Sequence, residues 1–329
     1  MRDKAYNSLI TNDSSSCRQV MQTMNDSLDI WELPANDEVY LIAGWHQWAD
    51  AGNVSSGLPQ YLIDTLEARK IGAIQPEGFY LFQMPGTHHF FRPEIKLKDG
   101  HVESIQEREN EFYAWSTGDK GLVIFLGQEP HLNVDRYCDA LMDAAEELGV
   151  RRILCLGGVY GSMPYDRDRE IHAVYSLPAL HEELADYAVS MSNYEGGATI
   201  GVYLAHAAEA RGLEVIDWYA FVPAYDFSEL SNTVQGMRID NDFKSWYELL
   251  LRFNRMLGLD IDLSDLAQRS EELVHSMDAK IDELDQRMPH LKVREYIGRL
   301  SESFAETSYL PMDDLLEQEL GDLLDNLGD

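Results

Sequence analysis

The stretch Val39-Tyr40-Leu41-Ile42-Ala43-Gly44-Trp45-His46-Gln47-Trp48-Ala49-Asp50-Ala51-Gly52 decides how the chain is organised. Val39 to Ala43 is apolar at every position, the pattern of a strand covered by helices on both sides of a parallel sheet. Gly44 follows, and then Trp45, His46, Trp48 and Asp50 in quick succession. A connection between elements is ordinarily small and polar. Here bulky and chemically able side chains stand where open α/β sheets place their ligand crevices.

Two further stretches repeat the design. Leu122–Leu126 is apolar throughout and precedes Gly127-Gln128-Glu129-Pro130, and Arg151–Leu156 precedes Gly157-Gly158. Between them Val134, Tyr137, Leu141, Ala145 and Leu148 recur at helical spacing, with Asn133 as the expected N-cap and Gly149 closing the helix. A strand–helix–strand unit of this kind pairs its strands in parallel with a right-handed crossover. If the three strands are neighbours and end at their glycines, the following loops gather along one sheet edge.

The rest of the chain extends the pattern. A helix is expected from Asn53 to about Lys70, with Pro59 marking a kink or a later start. Strands are expected at Gly78–Gln83, Ile171–Ser176 and Glu214–Val222. Helices are expected at Pro178–Met191, from Gly196–Gly201 onward, and at Phe243–Leu257. Turn signals fill Pro85–Glu111. After Gly258 the β signals vanish and acidic residues dominate; Ser264–Met288, Lys292–Phe304 and Met312–Leu327 read as helices. The fold class is therefore α/β, with a mostly parallel central sheet and helices on both faces. Three parts are expected: a partly loose N-terminal segment (1–30), an α/β core (31–262) and an acidic helical extension (263–329).

Composition narrows the function. Hydrophobic residues make up 45% of 329, enough for a sizeable core. The formal net charge of −32 repels nucleic acids and anionic membrane surfaces, and attracts cations and basic protein surfaces. The cysteines, Cys17, Cys138 and Cys155, form neither a C-x-x-C nor a cysteine–histidine cluster. A disulfide framework and a structural zinc are disfavoured, and a cytoplasmic setting is expected. No apolar run approaches the ~20 residues of a membrane helix, and Met1–Ser27 lacks the apolar centre of a signal peptide.

The candidate site residues come from the loops after the glycines: Trp45, His46, Trp48 and Asp50; Glu129; Gly157 and Gly158; and Arg167 in Asp166-Arg167-Asp168-Arg169. They can form a polar pocket with an aromatic wall. Alternatively the tryptophans pack the core edge or a subunit contact and the charges pair with one another. His46 and Asp50 share a face if they lie on a helix, but no third ligand accompanies them, so no metal and no cofactor is assigned. Gly197, in the Gly196–Gly201 helix start, can present backbone N–H groups to an anion or simply allow close packing. No G-x-S-x-G elbow or Walker loop is present.

Several of these stretches together resemble the proteasome assembly chaperone family. They are Ala43-Gly44-Trp45 through Asp50-Ala51-Gly52, Gly127–Pro130, Gly157-Gly158-Val159 with Met163-Pro164 and Arg167, Gly197 to Leu204 with Ala207, Val222-Pro223-Ala224-Tyr225, and Leu257–Leu263. The resemblance implies an α/β fold similar to purine nucleoside phosphorylases. It also implies homo-oligomers, often trimers or larger rings, that serve protein assembly rather than catalysis. Some members dock on proteasome rings through a tail with tyrosine in the penultimate position. This chain ends Asn326-Leu327-Gly328-Asp329, with glycine there, which argues against that route. Glu195 and Arg167 are the candidates for the ribose-binding and phosphate-binding roles that a phosphorylase-like site requires.

Two functions follow. The first is a non-catalytic, self-associating scaffold or assembly factor that uses its acidic helices for self-association or partner capture. The second is a nucleoside- or nucleotide-like ligand site, hydrolytic or not, at the Gly44/Gly127/Gly157 edge.

Overall fold

The computed structural model describes residues 26–83, 92–106, 108–226, 236–306 and 309. In chain order it contains β1 (Leu28–Ile30), β2 (Glu38–His46), α1 (Gly57–Thr65), β3 (Arg69–Ile74), β4 (Glu94–Lys98), β5 (His101–Gln106), β6 (Glu111–Thr117) and β7 (Lys120–Gln128). There follow α2 (Val134–Glu147), β8 (Val150–Gly161), β9 (Ile171–Tyr175), α3 (Leu180–Leu184), β10 (Ser190–Met191), α4 (Ile200–Glu209), β11 (Glu214–Tyr225) and β12 (Met237–Arg238). Helices α5 (Phe243–Leu257), α6 (Ser264–Arg287) and α7 (Val293–Ser303) complete it. Most of the N-terminal segment and the leucine-paired stretch Met312–Leu327 lie outside the described residues.

One large sheet runs in the order β1-β3-β6-β7-β2-β8-β11-β9-β10, with β12 beside β11. Its centre, β7-β2-β8-β11, is parallel, as the strand–helix–strand unit requires. The flanks are antiparallel: β6 returns on β7, and β9 runs against β11. The β6–β7 turn passes through Gly118 at φ 57°, a left-handed conformation that glycine adopts without strain.

Alternation along the central strands puts neighbouring residues on opposite faces. Ile42, Ile124, Leu154 and Ile216 pack with α1, α5, α6 and α7. Leu41, Val123, Ile153 and Val215 pack with α2 and α4. The expected helices on both faces follow directly. The acidic helices share the first of these cores: Leu266, Met277 and Ile281 of α6 and Val293 and Ile297 of α7 are buried with it. Each fully buried large aliphatic chain contributes roughly 1.5–3 kcal/mol, so this packing holds α6 and α7 against the sheet.

Local expectations are corrected in several places. Gly78–Gln83 is a turn and irregular chain, not a strand. Phe79 is buried as a plug against Tyr137, and its carbonyl accepts from His131 N and Leu132 N. Helix α1 starts at Gly57, so Pro59 lies in the first turn, where its missing N–H removes no helical bond. The residues expected to continue that helix to Lys70 instead begin β3. Pro178–Met191 is helical only at Leu180–Leu184 and in one following turn. Asn133 caps no helical N–H; its amide donates to Gly78 O at 2.7 Å. Arg169, whose charge was expected to pair with its loop neighbours, is instead fully buried and donates to both carboxylate oxygens of Asp242 at 2.7 and 3.0 Å.

The main correction concerns the glycines. None ends its strand: β2 runs to His46, β7 to Gln128 and β8 to Gly161. They are places of close approach. A Cβ on Gly44 would stand 1.9 Å from Ser55 O, and one on Gly158 would stand 2.0 Å from Ala51 O. Both clashes are with backbone, which has no rotamer to change. We expect Gly158→Ala to destabilise the chain by about 3 kcal/mol or more in urea denaturation. Gly197→Ala, where a Cβ meets nothing within 4 Å, should change stability by less than about 0.5 kcal/mol.

Candidate functional site

The segment Ala49–Ser56 lies across the C-terminal ends of β2 and β8. Gly158 N donates to Ala49 O at 2.8 Å, and Asp50 forms a parallel bridge with Gly158. The Asp50 carboxylate accepts from Ser55 N at 2.8 Å, Ser56 N at 3.0 Å and Ser56 Oγ at 2.6 Å. It thus closes the turn leading into α1, where the helix dipole favours negative charge. Gln47 Nε2 donates to Ser55 Oγ at 2.7 Å and to Leu156 O at 3.1 Å, tying the segment to both strands. Gly52 O accepts from Asp242 N at 3.0 Å and Trp246 Nε1 at 3.1 Å, which anchors its far end on α5.

Two cavities open on either side of this segment. The larger, about 660 Å³, is walled by Trp48, Tyr160, Tyr194 and Phe221 and floored by Thr199 and Tyr219. Trp48 and Tyr194 are 70% and 68% exposed at its rim. The smaller, about 400 Å³, is lined by His46, Gln47, Asp50, Arg108, Glu129 and His131. Gln47 and Asp50 line both cavities. Burial pushes the Asp50 and Glu129 carboxyls above their ordinary range, against the hydrogen bonds they accept. Burial also lowers the His131 imidazole, whose Nδ1 accepts from Leu81 N at 3.0 Å.

The structure brings together only some of the residues singled out from sequence. His46, Asp50 and Glu129 line the small cavity; Trp48, Gly158 and Gly197 line the large one. His46 ends β2 and Asp50 lies in the following turn, so they do not share a helix face. Among the described residues no group of three or more metal-binding side chains is assembled. Trp45 is a core residue, 1% exposed, donating from Nε1 to Tyr137 Oη at 3.1 Å. Gly157 makes room for the Tyr219 ring, which a Cβ would meet at 2.5 Å. Arg167 lies outside both cavities, on the surface, and pairs with Glu306 at 3.2 Å. Glu195 is exposed and lines neither cavity.

Beneath the floor lies a group that sequence reasoning passed over. Asp217 stands in the middle of β11 and is 1% exposed. Tyr219 Oη donates to its Oδ2 at 2.5 Å, and the Tyr219 and Thr199 hydroxyls are bonded to each other. Thr199 also caps α4, accepting from Val202 N at 3.3 Å. Gly201 allows the first turn of α4 to lie against the carboxylate, since a Cβ there would stand 2.3 Å from Asp217 Oδ2. The available signal was an aspartate inside the otherwise apolar run Val215-Ile216-Asp217-Trp218. Burial pushes its carboxyl up to about 7, and its hydrogen bonds only partly oppose this.

The sequence matches the model of the PAC2 family over residues 44–281. The chain belongs to the PAC2 family. No curated protein matches it. Among solved structures it is similar to a PAC2 family protein from Streptomyces avermitilis, at 24% identity and a TM-score of 0.62, covering 79% of this chain and 99% of the other. It is also similar to a proteasome-assembly chaperone homologue from Mycobacterium tuberculosis, at 22% identity and a TM-score of 0.62, covering 74% and 95%. PbaB, an archaeal proteasome activator from Pyrococcus furiosus, shares 20% identity with a TM-score of 0.53, covering 78% and 98%. These likenesses concern the fold. Every residue lining either cavity falls within the span matched to the PAC2 model.

Asp217 makes a pH prediction. Its carboxyl in the fold lies above the ordinary 3.8, so the folded state holds an extra proton between that value and about 7. The stability this contributes is complete below about pH 4 and is lost as pH rises through 7. Asp217→Asn removes the titration. Between pH 4 and 8 the native chain should lose on the order of 3 kcal/mol relative to the variant, read by urea denaturation across that range.

Proposed function

We propose that the chain is a non-catalytic assembly factor of the cytoplasm that acts as a homo-oligomer. The observation that carries this is the ribbon β4–β5. Ile95 pairs with Ile105, and Leu97 with Val102, so their side chains share one face of the ribbon. Each is about half exposed. A two-stranded ribbon is marginal in water by itself, and a row of aliphatic pairs on its surface calls for a cover. The cover is a second copy of the chain. The ribbon segment is nearly charge-balanced, with Lys96 and Lys98 against Glu94, Asp99 and Glu103, in a chain of net charge −32. Two copies therefore meet here with less repulsion than an average stretch of their surfaces would impose. Family membership, and the assembly and activation roles named for structurally similar proteins, support a protein complex of the proteasome type as the client. Among the described residues no helix is long and apolar enough to cross a membrane.

A second reading rests on a different observation. The aromatic-walled cavity has the volume of a small-molecule site. Gln47 Oε1, on the wall it shares with the smaller cavity, is buried without a hydrogen-bond partner among the described residues. On this reading the crevice holds a small ligand, a function that an oligomer can carry as well.

Native mass spectrometry separates the first proposal from a monomeric protein. The full chain should appear as a discrete oligomer, and Ile95→Asp with Ile105→Asp should dissociate it while leaving the melting temperature of the protomer in place. A monomer at micromolar concentration overturns the proposal, and an unchanged oligomer in the variant removes the ribbon as its contact.

A further inference from the structure

The walls of the larger cavity limit what can enter it. Among the described residues neither lysine nor arginine lines it; Arg238, 5.2 Å from the centre of the Tyr160 ring, does not reach the lining. The lining side chains that can carry charge are already engaged. Asp50 accepts three hydrogen bonds from the turn into α1, and His172 Nε2 lies 2.7 Å from Glu170 Oε1. A phosphate or carboxylate would enter without a cation to meet it and with Asp50 on the wall, which disfavours nucleotides and acids. Trp48, Val159, Tyr160 and Tyr194, four of the large hydrophobic side chains that the fold leaves exposed, all line this one cavity. Ring faces and aliphatic surface gathered around about 660 Å³ suit a flat apolar body of two or more fused rings.

The floor has a different chemistry. Thr199 and Tyr219 are 7% and 9% exposed, and both line the cavity. Tyr219 Oη donates to Asp217 Oδ2 at 2.5 Å. Thr199 Oγ1 is bonded to Tyr219 Oη and stands 3.5 Å from the same carboxylate oxygen. Around Asp217 are Cys155 on β8 and Val174 on β9, its partners in register, and Gly201 of α4. Burial pushes the Cys155 thiol well up, so it stays neutral. An ionised carboxylate has no proton to give, so Asp217 draws the hydroxyl hydrogens inward. What the two oxygens keep for the cavity is acceptor capacity, of which Val202 N uses part on Thr199. A carbonyl or ether oxygen gains nothing from such a floor. An N–H or O–H gains an acceptor that the carboxylate behind it strengthens.

We propose that this cavity binds an uncharged, flat aromatic molecule carrying an N–H or O–H at its edge, with the rings against Trp48 and Tyr194 and the donor on the floor of Tyr219 and Thr199. The inference rests on the cavity being a small-ligand site and names the class of ligand it takes. Equilibrium dialysis of the full chain at pH 8, where Asp217 is ionised, tests it with three probes of similar shape: 2-naphthol, its methyl ether, and the anion 2-naphthoate. 2-Naphthol should bind, the ether at least about fivefold more weakly, and the anion not measurably. Tyr219→Phe removes the acceptor and should bring naphthol and ether to within about twofold of each other, a loss of selectivity that mere loosening of the fold does not produce. Trp48→Ala, at an exposed rim position that leaves the floor intact, should weaken naphthol and ether alike, by about tenfold, and decides the matter if Tyr219→Phe fails to fold. Equal binding of naphthol and ether by the native chain keeps the cavity as a ligand site and overturns the donor class. Binding that Trp48→Ala leaves unchanged, or that is tightest for the anion, overturns the proposal. Binding of none of the probes overturns the proposal and the ligand reading together.

Discussion

Everything at the candidate site depends on one steric constraint: two backbones in direct contact over the strand ends. Ala49–Ser56 lies so close to β2 and β8 that side chains at Gly44 and Gly158 would occupy the positions of carbonyl oxygens. The approach is held by directional bonds from the Gly158 N–H, the Gln47 amide and the Asp50 carboxylate. With the segment in place, α1 begins at a fixed point, and two cavities exist where a looser connection would leave an open sheet edge. The same contact orients Gln47, so the unsatisfied carbonyl on the shared wall is a product of the packing that forms the wall.

Charge is handled unevenly across the molecule. On the side of α5, Arg169, Asp242, Glu248 and Lys244 form a connected group in which opposite signs meet at hydrogen-bond distance. Removing one partner from such a group leaves a buried charge uncompensated, so these residues act as structural cement. Gly52 O links this group to the loop over the strand ends through Asp242 N. On the side of the cavities, Asp217 is buried and Asp50 and Glu129 are half-buried, each held by hydrogen bonds and none ion-paired to lysine or arginine among the described residues. Groups of that kind are found where proteins bind or react, as well as where they merely pack.

How far the site was legible in the sequence depended on what each residue does for the backbone. Asp50 was singled out for a possible chemical role, and the structure shows the capping role that its spacing to Ser55 and Ser56 makes possible. Trp45 and Trp48 looked alike, yet strand alternation sends Trp45 into the core and the following turn leaves Trp48 at the rim. Arg167 and Arg169 are equally alike in the chain, but one pairs with Glu306 on the surface and the other is sealed against Asp242. Asp217 is not legible as a site residue, because a polar residue in an apolar run has no visible partner until distant elements converge.

The sequence by itself determined the α/β class, the parallel centre and the two helical faces, because runs apolar on both faces joined by a helical period admit few other packings. It also showed glycines late in the three central strands, where they read as strand terminators. Only the tertiary structure decided their role. The glycines do not stop the strands; Gly44 and Gly158 admit another stretch of backbone, the latter contact joining Gly158 to Ala51 more than a hundred positions away, and Gly127 and Gly157 admit aromatic side chains. Antiparallel flanks, the exposed aliphatic ribbon and the uncompensated carboxylates depend likewise on which elements become neighbours, a matter of long-range packing that local pattern and propensity do not encode.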